Sequence, residues 1–324
     1  MLPASQFSLL SYVRAKRSLR WAAGLAAIAA AGAFLVANVR VFPRSSGIDA
    51  QATQVITERD ALDIVANVES GKDLSVSCQE ITTAAARIVA HHKGVVTIRG
   101  LSSISPSVAH ELAGLPATSS LCISGLESLS LEAARELVRS KCWVLSFEDL
   151  GDVSPALAAV LATYGGSSPE GSSLRLYGSL QMSPDAVKEL SRSNALVLDI
   201  RGLRQLDDHG AAALAEFRGR ALVLNGVEWL SETACEALSR FQGRLLSLSA
   251  IRELTPAAAR SLARFQGDSI YLHGLIDPSR DVVALLREFR GKAWLPEGNG
   301  VDPENAASNA EPSDGVGAQR NLAD

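Results

Sequence analysis

Apolar side chains recur along this chain in one pattern with a long period. With position 0 set at the first apolar residue of a short strand, units begin at Leu74, Val96, Leu121, Leu145, Leu174, Leu198, Leu222, Leu246 and Ile270. The intervals are 22, 25, 24, 29 and then 24 four times, and a tenth strand is expected 24 residues on, from Trp294. Residues 222–231 show the rule: apolar at 0, +2, +5 and +8, with Gly at +4. Alternation at 0 and +2 predicts a strand of about three or four residues with those two side chains inward. Gly100, Gly125, Gly178, Gly202, Gly226 and Gly274 hold position +4, where a turn needs positive φ or a close backbone approach.

The second half of each unit reads as a helix. Ser105, Ser130, Ser154, Ser183, Ser231 and Thr255 stand at +9, and Pro106, Pro155, Pro184 and Pro256 follow four of them. Ser or Thr and then Pro is the N-cap and N1 signature. Positions +12, +13 and +16 form an apolar stripe, with Leu at +16 in eight units from Leu112 to Leu286. Phe217, Phe241, Phe265 and Phe289 extend it at +19, each followed two residues later by Gly, which is expected to stop the helix. Strand, turn, capped helix and return, repeated at this period, is a solenoid whose units bury their apolar faces only against their neighbours. The chain is therefore expected to be α/β, with about nine units of about 24 residues, a parallel sheet on the concave side and helices on the convex side.

The motif Leu-x-Leu-x-Gly-Leu-x-x-Leu-Ser-x-x-Ala-Ala-x-x-Leu, over residues 74–296, is similar to leucine-rich repeats of the cysteine-containing subclass first associated with F-box proteins. Here Gly or another small residue replaces that subclass's Cys, and Ser-Pro replaces its Thr-Asp. The resemblance implies a non-enzymatic, partner-binding solenoid, in this case a bacterial membrane-anchored one. The Asn or Cys ladder that ties adjacent turns in the family is absent, which calls lateral bonding into question.

The membrane assignment comes from the N-terminus. Residues 21–39 carry no charge, about the length needed to cross a bilayer core. A basic tail, residues 1–20, precedes them with Arg14, Lys16, Arg17 and Arg20, while only Arg40 and Arg44 follow closely. That bias places the N-terminus in the cytoplasm and the repeats outside it. A cleaved signal peptide, giving a periplasmic or secreted protein, is the rival; the long basic segment and the poor site at Ala37-Asn38-Val39 argue against it. Residues 40–56 read as a linker, 57–73 as an N-terminal capping helix and 297–324 as a disordered tail. The stretch 165–173, rich in Gly and Ser, is a flexible insertion within one long unit.

Net charge of −4 without a basic stripe excludes nucleic acid as an expected partner. No GxSxG, HExxH, Walker loop or GxGxxG occurs, so no catalytic residue, cofactor or metal ligand is assigned. His91-His92 before Gly94 suits a last helical turn better than a metal site. Asp207 of Asp207-Asp208-His209 occupies the N-cap position. Cys78 and Cys235 read as small packed residues, whereas Cys122 and Cys142 could be exposed and could form a disulfide. Positions +1 and +3 face away from the core, and there Arg175, Tyr177, Asp199, Arg201 and Asn225 form the candidate patch for a protein or envelope partner. The alternative class is an enzyme or enzyme-inhibitor module with an unrecognised site.

Overall fold

A computed structural model describes residues 53–296, apart from residues 70, 167–170 and 179. The apolar segment 21–39, the basic tail, most of the linker, the middle of the insertion and the C-terminal tail lie outside the described residues. Among the described residues no helix is long and apolar enough to cross a membrane.

Eleven strands form one parallel sheet in chain order. They are β1 (Thr53–Ile56), β2 (Leu74–Ile81), β3 (Val95–Arg99), β4 (Ser120–Ser124), β5 (Val144–Glu148), β7 (Ser173–Leu176), β9 (Val197–Asp199), β10 (Ala221–Val223), β11 (Leu245–Ser247), β12 (Ser269–Tyr271) and β13 (Lys292–Trp294). Two short strands, β6 (Asp152–Val153) and β8 (Gln181–Met182), pair beside it. Each step between strands of the main sheet carries a helix: α1 (Glu58–Ala66), α2 (Thr83–Val89), α3 (Pro106–Leu112), α4 (Leu131–Leu137), α5 (Pro155–Ala162), α6 (Pro184–Leu190), α7 (Asp208–Ala215), α8 (Glu232–Ser239), α9 (Pro256–Leu262) and α10 (Arg280–Arg287). This is a leucine-rich-repeat-like solenoid.

Register follows the sequence period. Leu198, Leu222, Leu246 and Ile270 are successive Cα partners, each 24 residues apart. The strand side chains at 0 and +2 are buried with the helix stripe in one continuous core, and Leu112, Leu137, Leu161, Leu190, Leu214, Leu238 and Leu262 are all 0% exposed. Every one of the six expected Ser and Thr caps accepts from the backbone N–H three residues on, and the four prolines sit at the start of their helices. Asp207 caps α7 in the same way, at 2.7 Å from Gly210 N.

Three features differ from the sequence reading. Ile270 pairs with Ala293, not Trp294, so the last strand starts one residue early and Trp294 takes the outward +1 place. Within the stretch read as linker, residues 53–56 form β1, so the cap is a strand plus helix rather than a helix alone. The Gly of each Phe-x-Gly does not adopt positive φ. A β-carbon there would instead run into the Phe ring two residues earlier, so these glycines are space for the ring, not helix stops. At +4, both expected reasons for Gly hold, in different units: Gly100, Gly125 and Gly178 have φ of +75°, +90° and +91°. Gly226 and Gly274 have no such φ, but a β-carbon on either would overlap a carbonyl of the preceding turn, Arg201 O or Ser249 O.

Lateral bonding is supplied by the backbone. Arg244 N donates to Arg220 O and Asp268 N to Arg244 O, both at 2.7 Å, extending the ladder past the strands towards the helical side. Inside, Phe217, Phe241, Phe265 and Phe289 stack with centroids 6.0 Å apart at each step. Tyr164 fills the equivalent place in an earlier unit, fully buried, its hydroxyl donating to Cys142 O at 2.6 Å.

Candidate functional site

The open face of the sheet, away from the helices, carries the +1 and +3 side chains. Tyr177, Asp199 and Arg201 interlock there. Tyr177 hydroxyl donates to Asp199 Oδ2 at 2.9 Å, and Arg201 Nε lies 3.1 Å from both carboxylate oxygens. The Arg201 guanidinium carbon also stands 5.0 Å from the Tyr177 ring centroid, a cation–π approach. Strand register explains the meeting: Tyr177 follows β7, and Asp199 and Arg201 lie at the end of and just beyond the adjacent β9.

Asp199 is only 3% exposed, unusual for a carboxylate on a sheet's outer face. Burial pushes its carboxyl above the ordinary aspartate value, with Arg201 and then Arg175 pulling it back. Burial and the Asp199 charge raise the Tyr177 hydroxyl, which keeps it a donor. For Arg201, burial lowers the guanidinium, but the Asp199 and Tyr177 oxygens together outweigh it and leave it raised.

Arg175 is the direct lateral neighbour of Asp199, but its Nε donates to Ser173 Oγ at 3.3 Å instead. Asn225 belongs to a separate network: its Oδ1 accepts from Ser247 Oγ at 2.7 Å and Ser249 N at 2.9 Å. The five residues chosen from sequence thus share one face, as three coupled groups, one neighbouring cation and one amide turned to the next turn.

Sequence reasoning missed an aromatic group at the C-terminal end of this face. Tyr271 and Trp294 stack at 5.5 Å and 5°, His273 sits 5.6 Å from Tyr271, and Lys292 Nζ lies 3.9 Å from the Trp294 centroid. The signal was hidden because the last interval is 23 residues, which moved Trp294 from the core column to the outer one. The other overlooked group is on β5. Ser146 Oγ is buried without a hydrogen-bond partner, beside a Cys122 thiol that is at best a weak neighbour.

The cysteines are corrected here. All four are free and buried, and Cys142 packs in the core with its Sγ 3.1 Å from Val144 O, while Cys122 lies on the opposite, open side of the sheet. Burial pushes the Cys78 thiol up to about 11, and those of Cys122 and Cys235 up to about 12, so they are inert thiols. His92 Nε2 bonds Lys72 O and His91 Nδ1 bonds Arg87 O, both at 2.7 Å, so both imidazoles serve the backbone. Asp208 accepts from the Ser231 hydroxyl of the following turn.

No family model matches the chain, and no curated protein matches it either. Six chains among solved structures do match. One comes from the structure of the Toll–Spätzle complex, described as a molecular hub in Drosophila development and innate immunity. It aligns at 13% identity and a TM-score of 0.41, covering 69% of this chain and 30% of that one. This chain therefore spans about a third of that neighbour's length.

Proposed function

We propose that this protein is a recognition module that binds a protein or cell-envelope partner through the open sheet face, held at a membrane by residues 21–39 with the solenoid outside the cytoplasm. We read its repeats as a variant of the cysteine-containing leucine-rich-repeat subclass in which glycine takes the cysteine's place. The observation that supports binding is the Tyr177–Asp199–Arg201 cluster: a buried carboxylate fixed by two donors on the face the core does not use. Burying a charge there costs free energy that folding alone gives no reason to incur. What the carboxylate does is hold Tyr177 and Arg201, residue types favoured as interface anchors, in fixed rotamers.

Binding rather than catalysis is the reading because the acids and the histidine of this face, Glu148, Asp199 and His273, lie on separate turns. Ser124 and Ser249 are partly exposed on the face and outside the Asp199 cluster, so a bulky residue there blocks the face without disturbing it. The detergent-solubilised full chain with Ser124→Trp or Ser249→Trp should lose capture of its protein or cell-envelope partner, while Glu132→Trp on the helical wall should keep it. Loss from the wall variant alone would overturn the assignment of the face. For location, a reporter active only outside the cytoplasm, fused after Asp324, should be active; activity of a cytoplasm-only reporter at the same place would reverse the orientation.

A further inference from the structure

Three polar groups on the adjacent strands β5 and β7 of the open face form one locus and keep bonding capacity that the fold does not use. Arg175, part-buried on β7, uses Nε on Ser173, and neither Nη atom has a hydrogen bond or ion pair among the described residues. Glu148, part-buried at the end of β5, makes neither a hydrogen bond nor an ion pair among the described residues, although Glu111, Glu136 and Glu189 each meet an arginine within 3 Å. Ser146, 1% exposed and the direct Cα partner of Arg175, has its Oγ buried and unpaired. The rule that buried polar groups are paired applies to Ser146 alone; Arg175 and Glu148 reach solvent, and what they offer a partner is two opposite charges that no ion pair among the described residues occupies.

The placement defines what completes it. Glu148 is two residues beyond Ser146, so it lies diagonally from Arg175 across one strand spacing. Two residues of rise and one inter-strand step put their Cα atoms roughly 8 Å apart. The neighbouring carboxylate of Asp199 is already held by Arg201 and Tyr177, so it does not neutralise Arg175 through a direct bond. A lone anion at Arg175 would meet the Glu148 charge, and a lone cation at Glu148 would meet Arg175. A ligand carrying both signs satisfies both.

We propose that Glu148 and Arg175 form a two-sign seat for an extended segment of a polypeptide partner, with a basic side chain at Glu148 and an acidic one at Arg175, two residues apart. Side chains at i and i+2 of an extended chain lie on one face roughly 6.6 Å apart, and the reach of a Lys and a Glu side chain spans the difference from the roughly 8 Å diagonal. The proposal rests on the open face being the binding face, and it specifies the chemistry of the partner. Burial and then the Asp149 charge raise the Glu148 carboxyl, while the Arg99 and Arg175 charges lower it.

The test uses the full chain in detergent and three peptides: acetyl-Ala-Lys-Ala-Glu-Ala-amide, the same with Gln for Lys, and the same with Gln for Glu. Affinities are read by titration at low salt. The charged pair should bind best, each neutralised peptide about tenfold weaker, the equivalent of about 1.4 kcal/mol. Arg175→Gln should erase the preference for Glu over Gln in the peptide, and Glu148→Gln the preference for Lys over Gln. Neither residue has an ion pair among the described residues, so both variants should stay folded, and the peptide preferences compared within each variant report on the seat alone. Tighter binding of the purely acidic peptide by Glu148→Gln than wild type shows for the charged pair would mean a plain anion site and overturn the proposal. Equal binding of all three peptides by wild type would overturn it as well; if Ser249→Trp still abolished partner capture, the open-face reading would stand without it.

Discussion

The ring of Phe241 lies across Gly243, so that a β-carbon on Gly243 would overlap the ring and stand 2.9 Å from Arg220 O. The same relation recurs at Phe217–Gly219, Phe265–Gly267 and Phe289–Gly291. Aromatic stacking along the solenoid and the missing side chain beside it are one device: the glycine gives the ring its slot, and the rings then stack turn upon turn. Gly243→Ala should cost about 1–3 kcal/mol as overpacking. Gly165→Ala, whose nearest neighbour would be Asn194 Cβ at 3.6 Å, should change stability by no more than about 0.5 kcal/mol. Denaturant midpoints measure both, and equal values would show that the slot is not tight.

Equal register of the units makes whole turns removable. Deleting residues 222–245 joins Ala221 to Leu246 and restores the pairing of β9 with β11, because each strand's partner is displaced by the same 24 residues. A folded, shorter and less stable solenoid is expected. Deleting only 12 residues within that unit leaves a strand facing a helix and should abolish cooperative melting. Indistinguishable melts for the two deletions would contradict a solenoid stabilised by nearest neighbours.

The repeat, its caps and the core columns were legible because each rests on a local rule: Ser105 before Pro106 is a cap whatever surrounds it, and Leu112 on the stripe must face the sheet. Which of two local rules applied to a glycine was not legible, since Gly100 and Gly226 share a position but only Gly100 has positive φ. Nor could spacing show that Tyr177, Asp199 and Arg201 bond to one another, while Arg175 and Asn225 turn elsewhere; that depends on rotamers across strands. Cys122 stands at an outward position, where the sequence left exposure open, but it is 3% exposed between its neighbours on the sheet. Trp294 was misplaced because one interval shortened by a single residue, which in a strand reverses the side chain's face.

Removing the carboxylate of the central cluster leaves Arg201 and Tyr177 without their shared acceptor. Asp199→Ala should therefore destabilise by about 1–3 kcal/mol, and Tyr177→Phe by about 0.5–1.5 kcal/mol, since Arg201 still satisfies the carboxylate. Urea unfolding of both variants decides the order. A larger loss for Tyr177→Phe would show that the hydroxyl, not the guanidinium, holds Asp199.

Glu148 gives a pH signature. Burial first, and then the Asp149 charge, raise its carboxyl above the ordinary glutamate value, against Arg99 and Arg175. A carboxyl raised by folding keeps its proton to higher pH in the folded chain, so the stability it contributes is present below about pH 4.3 and is lost as pH rises through the folded value. Glu148→Gln cannot titrate. Wild type should thus lose ground against the variant as pH is raised from about 4 towards neutrality, measured by urea unfolding at each pH. A difference that stays flat, or that moves in favour of wild type, would contradict a raised carboxyl at this position.

Which wall meets the partner is the claim everything functional depends on. A photo-crosslinking amino acid placed singly at Ser124 or Ser249 on the open face, and at Glu132 or Glu236 on the helical wall, tests it in intact cells expressing the full chain. The open-face positions should give one and the same discrete adduct, and the helical positions none. An adduct formed from Glu132 or Glu236 and absent from Ser124 and Ser249 would place recognition on the helices and leave the Tyr177–Asp199–Arg201 cluster a structural feature of the sheet.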